Sequence, residues 1–174
     1  IFASSSEVIG RKYINTTNTI YDYPEIFGFV PASACYLNTS WGKKILNTRY
    51  VNYIIVDGRY VFLDGGDTII TRNLMCFLSD TFSPEVFHIM NEQIDLKSPS
   101  KHTGIQVLED IRLFEEMGHS KFMATSYNYS NVEEARIVKG DYDILLFELS
   151  NRTVIQSPEN SHCEKNWTPI CNNN

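Results

Sequence analysis

The sequence predicts an all-β chain built from two successive sets of short antiparallel strands, and three observations point there. Aromatic residues are frequent, with 10 Tyr and 10 Phe among 174 residues, and these are residue types that half-buried, pleated strands collect. Apolar runs are short and are bounded by Gly, Pro, Asn, Asp and Ser. Between the β-rich runs 50–56 and 59–63 stands Asp57-Gly58, the two-residue signature of a type I′ hairpin turn.

Taken in order, residues 1–30 fit neither strand nor helix periodicity and read as an extended arm, with Tyr21, Tyr23, Phe27 and Phe29 as isolated anchors. Residues 34–80 accommodate four strands, the last of them at 68–78 after Gly65-Gly66-Asp67. Ser83-Pro84-Glu85 suits a helix start, with Ser as cap and Pro at the first helical position. Val86, Phe87, Ile89 and Met90 suit a strand equally well, so both readings stand. Residues 94–104 read as a loop around Ser98-Pro99-Ser100. A second set follows: strands at 107–115, 121–129, 135–139 and 142–149, a turn at 117–120, and a last strand at 153–156 beyond Ser150-Asn151-Arg152.

Sets of about four strands, each roughly the 40 to 50 residues of a propeller blade, suggest radial repetition. Residues 31–174 supply two blades and the start of a third. A propeller left at that point exposes unpaired strand edges, so either more chain or a protein partner covers the open edge, or the fold differs.

Composition excludes several function classes. The 15 Lys and Arg are scattered among 21 Asp and Glu for a net charge of −6, so the basic footprint of a DNA or RNA binder is missing. No apolar run nears the roughly 20 residues that span a bilayer. Residues 1–10 have neither the basic stretch nor the apolar core of a leader peptide, so this N-terminus reads as processed, trimmed or internal. Cys35, Cys76, Cys163 and Cys171 lack the spacing of a zinc site and leave two disulfides open. His88, His102, His119 and His162 lie in unrelated contexts, and no Gly-x-Ser-x-Gly or phosphate-cradling Gly loop occurs, so no metal or nucleotide cofactor is expected. Five Asn-x-Ser/Thr sequons, starting at Asn15, Asn38, Asn128, Asn151 and Asn166, leave a secreted or particle-associated location open without fixing it.

Charged residues interrupt otherwise apolar runs at three places: Arg49-Tyr50-Val51-Asn52-Tyr53 with Thr71-Arg72-Asn73, then Glu109-Asp110-Ile111-Arg112, then Cys163-Glu164-Lys165-Asn166-Trp167. With Pro31-Ala32-Ser33, the order of these motifs over residues 31–170 resembles the front half of the five-bladed β-propeller carbohydrate-active proteins. The likeness is to the mannoside phosphorylases and mannosidases of glycoside hydrolase family 130 and their giant-virus relatives. That resemblance implies a glycan substrate, Asp110 as proton donor, Glu109 as an orienting carboxylate and Arg112 as a subsite anchor. It also implies Arg49, Asn52, Arg72 and Asn73 as sugar-binding residues, Lys165 as a hydroxyl or phosphate ligand, Trp167 as a stacking platform, and inorganic phosphate as the one co-substrate.

Two departures weaken a transfer of activity: Ile111 stands where the family usually has Pro, and Val30 where an Asn commonly precedes the Pro. Glu109 and Asp110, as neighbours on a regular strand, are expected to point to opposite faces. Structural readings compete throughout. The three arginines could pair with carboxylates on adjacent strands, the acidic pair could cap a turn, and Trp167 could be core. A non-catalytic glycan-binding or assembly protein on the same fold, such as a minor component of a virus particle, is the alternative.

Overall fold

The computed structural model describes residues 12–14, 18–92, 105–106, 108–127, 134–158 and 161–170, and every regular element among them is a strand. Within the segment read as an irregular arm, β1 (Lys12–Ile14) pairs antiparallel with β2 (Ile20–Asp22). Beyond it the arm lies along the first sheet. Tyr21 donates to Ser83 Oγ at 2.9 Å, the carbonyl of Pro24 accepts the buried Tyr50 hydroxyl at 2.9 Å, and Tyr23 meets Phe87 edge to face.

The first sheet is an antiparallel meander. β3 (Val30–Asn38) pairs with β4 (Lys44–Val51), and after the hairpin of β5 (Tyr53–Val56) and β6 (Arg59–Phe62) the chain returns as β7 (Ile69–Leu78) and β8 (Pro84–Ile89). Asp57 and Gly58 both take positive φ, 49° and 76°, as the I′ turn requires. The 83–90 ambiguity resolves as strand, because Leu74, Cys76 and Leu78 of β7 offer an edge whose outer face Phe87 helps cover.

The chain then crosses over. β9 (Asn91–Glu92) runs parallel beside the end of the second sheet, while β10 (Ile105–Gln106) runs parallel beside β7. The loop expected at 94–104 lies outside the described residues. The second meander is β11 (Glu109–Glu116), β12 (His119–Ser126), β13 (Arg136–Asp143) and β14 (Glu148–Val154).

Several expected boundaries move. The run expected as one strand at 50–56 is divided at Asn52: Tyr50 and Val51 close β4, while Tyr53–Val56 is β5 and pairs only with β6. The strands expected at 135–139 and 142–149 are one strand plus a turn: Gly140 sits within β13, where a residue without Cβ lets the Phe122 ring lie against the backbone, and the turn falls at residues 144–147. Asn151, with its neighbours read as a turn, lies within β14, where a left-handed φ of 49° accommodates the irregularity between β13 and β14.

The sheets stack face to face. Ile45 and Met75 from the first meet Ile111, Leu113, Phe122, Ala124, Tyr142 and Leu149 from the second. The architecture is all-β with antiparallel sheets, as expected, and the described residues do not close a ring of blades. Cys35, Cys76 and Cys163 are free thiols, so the open disulfide reading finds no pair among them, and Cys171 lies outside the described residues. Burial pushes the Cys35 and Cys76 thiols up to about 11 and about 12.

A polar chain runs through this core. Tyr142 donates to Asn47 Oδ1 at 2.9 Å, Asn47 Nδ2 to Asn73 Oδ1 at 3.0 Å, and Asn73 Nδ2 to Glu92 Oε1 at 2.7 Å. Burial, the largest influence, raises the Glu92 carboxyl above its ordinary value against the bonds from Asn73 and the charge of Arg152. A raised native value favours protonation of the folded form. The stabilisation is therefore complete below about pH 4, the unfolded range for Glu, and is lost as pH rises through the native value. Glu92→Gln should remove this dependence. In urea titrations across that interval, the difference between wild type and variant should change in the variant's favour as pH rises, and a difference independent of pH would refute the assignment.

Candidate functional site

The carboxylates singled out in the sequence sit at the start of β11, where the strand bulges. Register with β12 steps from Glu109↔Thr125 to Arg112↔Met123, so three steps on one strand face two on the other. Asp110 takes the extra residue's left-handed conformation at φ 53°, which Asp tolerates better than most residues. The regular alternation expected for Glu109 and Asp110 is thereby broken at this point.

Two ion pairs organise the cluster. Arg49 NH1, from β4 of the first sheet, lies 3.0 Å from Asp110 Oδ1, and Lys165 Nζ lies 3.8 Å from Glu109 Oε2. Both carboxylates are mostly buried, the Glu109 side chain more so than that of Asp110. Lys165 also sits over the Tyr127 ring at 5.5 Å. Burial weighs most heavily against its ammonium, but the hydrogen bond to Tyr127 and the Glu109 charge outweigh it, and its pKa lies above the ordinary lysine value. The Tyr53 phenol is raised, chiefly by burial. Arg49 opposes that shift, and Glu109, Tyr60 and Asp110 add to it, which places Tyr53 within electrostatic reach of both carboxylates. Asn166 and Trp167 line one narrow recess with Asp110, Thr125 and Ile137.

Five of the nine residues singled out therefore converge: Arg49, Glu109, Asp110, Lys165 and Trp167. Trp167 is also core, since it packs on Phe114, Met123 and Ile137 across the outer face of the second sheet. The other four stand elsewhere. Asn52 is fully buried, donates to Asp64 Oδ2 and the Thr68 carbonyl, and accepts from the Ile70 amide, so its polar capacity is spent on stapling the β5–β6 excursion. Asn73 is the hub of the buried polar chain. Arg72 is exposed, its guanidinium 5.2 Å from the Phe29 ring, and Arg112 is exposed on β11. The reason is alternation: residues 49 and 72 lie on opposite faces of the first sheet, so only Arg49 faces the second.

The sequence reading missed Tyr53 and Tyr127. Tyr53 lay inside a motif already singled out, whereas Tyr127 is brought in by the pairing of β12 with β11, which no local signal announces.

Chemically, two carboxylates face two cations, with phenol and indole rings beside them. Such a balanced set offers acceptors and donors to hydroxyls and no net charge to an ion. Among the described residues no three His, Cys, Asp or Glu side chains gather as a metal site, and no helix is long and apolar enough to cross a membrane. No family model, curated protein or solved structure matches the chain.

Proposed function

We propose that the Arg49–Asp110 and Glu109–Lys165 cluster is a carbohydrate-binding site, and that the two meanders are blades of the five-bladed propeller type, acting on or binding a mannose-like glycan. The observation that carries the reading is convergence. Residues 49, 109–110 and 165–167 come from three distant segments and meet at one end of the stacked sheets. Carboxylates that accept sugar hydroxyls, a guanidinium and an ammonium that donate to them, and rings that stack on a pyranose are the groups such a site needs.

Two observations divide catalysis from binding. Asp110 holds a backbone conformation that costs a non-glycine residue free energy, the kind of local strain that clusters at reacting sites. Its carboxylate, however, is engaged by Arg49, whereas a proton donor must present its proton to the leaving oxygen. Binding without turnover is the reading the ion pair favours.

Asp110→Asn keeps the shape and the tolerance of left-handed φ while removing the charge. Calorimetric titration with mannosides should show affinity reduced about tenfold to a hundredfold, the worth of a charge-assisted hydrogen bond. A parallel assay for free mannose or mannose 1-phosphate, with and without inorganic phosphate, separates turnover from binding. Affinity equal to wild type in the variant would remove Asp110 from the site.

A further inference from the structure

A second set of groups gathers at the other end of the second sheet. β11 covers eight residues, so at about 3.3 Å per residue its two ends are ~23 Å apart. There the turn after β3, the turn after β11 and the turn after β13 enclose a cleft of about 470 Å³, within the size range of small-ligand sites.

Apolar Trp41, Ile144 and Leu145 and polar His119, Lys121, Asp141 and Asp143 line the cleft together. Trp41 stands at the tip of its turn with 46% of its surface exposed, although Trp is ordinarily among the most deeply buried residues. Nothing about that turn is loose. Thr39 and Lys43 exchange backbone and side-chain bonds at 2.8 to 3.0 Å, and the Ser40 amide donates to Glu115 Oε2 at 2.8 Å, which ties the turn to the second sheet. Across the cleft, Asp143 Oδ1 accepts the amides of Leu145 and Leu146, both at 2.8 Å, and holds the β13–β14 turn. Both walls are set before any ligand arrives, which lowers the ordering cost of binding.

The charges select the ligand class. Lys121 is bonded to Asp141, which also accepts from Asn151, and Asp143 accepts two turn amides, so the ammonium and both carboxylates already have partners within the protein. A neutral molecule with one apolar face and a hydroxyl edge disturbs neither pair. A pyranose ring has that form, with C–H groups for the indole and hydroxyls for the carboxylates and the ammonium.

We infer that the Trp41 cleft is a second carbohydrate site, separate from the Asp110 cluster and taking a neutral sugar ring. The inference goes beyond the proposed function and stands on different residues. Together the two sites would make the domain bivalent for glycans.

The chain has two tryptophans, one at each site, so one experiment reads both. In ¹⁵N-labelled protein titrated with mannohexaose, cellohexaose and chitohexaose, the Trp41 indole N–H and the Leu145 and Leu146 amides should shift and saturate with at least one sugar. Trp41→Ala should weaken that sugar about tenfold or more while its other amide resonances stay in place, and Trp41→Tyr should recover part of the affinity. A Trp41 signal unmoved by all three sugars at millimolar concentration overturns the inference. So does one that moves only with tetramethylammonium chloride or sodium phosphate. Movement of Trp167 alone supports the Asp110 site and rejects this one, and movement of Trp41 alone does the reverse.

Discussion

Asn73→Ala is expected to destabilise the fold by about 4 kcal/mol while leaving the sugar affinity of the folded protein unchanged. Asn73 is fully buried and every polar atom of its side chain is used: Oδ1 accepts from Asn47, and Nδ2 donates to Glu92 and, more distantly, to the Leu108 carbonyl at 3.4 Å. Truncation leaves the Asn47 amide and the Glu92 carboxylate each short of a partner inside the protein, at about 1–3 kcal/mol apiece, and the lost volume adds a cavity. For a chain of this size that corresponds to a melting temperature lower by roughly 10 °C. Urea midpoints measure the loss, and sugar titration well below the transition measures the affinity. A variant within about 0.5 kcal/mol of wild type, the range of an ordinary surface substitution, would contradict the hub role. A folded variant that no longer binds sugar would return Asn73 to the binding site.

The second large effect is expected at Gly140. A Cβ there would stand 2.6 Å from the Phe122 ring and 2.6 Å from the Ser150 carbonyl oxygen. Neither neighbour can retreat. The Phe122 ring is fully buried in the shared core, and Ser150 O belongs to the backbone of β14, the strand paired alongside. Gly140→Ala should therefore cost about 3 kcal/mol, the upper part of the range for overpacking a core. Adding Phe122→Leu tests the cause: the double variant should lose less than the sum of the two singles, because the smaller side chain vacates part of the space the methyl needs. Strict additivity would mean that the methyl is accommodated elsewhere.

These two residues also show where the sequence misleads. Gly140 stands in Lys139-Gly140-Asp141, which reads as a break between two strands, yet it lies within one strand, where the large Phe122 side chain of the neighbouring strand occupies the place its Cβ would take. Asn73 stands beside Arg72 and reads as one polar motif with it. Successive side chains on a strand face opposite ways, so the arginine goes to solvent and the asparagine into the core. Arg49 shares a face with Asn47 and points toward the second sheet, which is why it reaches Asp110 and Arg72 does not.

The sequence by itself determined the strand-rich character, the Asp57-Gly58 hairpin and the succession of two strand-rich halves, because alternation and turn chemistry act between residues a few positions apart. The tertiary structure alone decided the bulge that turns Asp110 left-handed, the meeting of Arg49 with Asp110 and of Lys165 with Glu109, the recruitment of Tyr53 and Tyr127, and the buried chain from Tyr142 to Glu92. Each of those depends on how one sheet is laid upon the other, and a residue's own neighbours in the chain carry no record of which distant strand it will face.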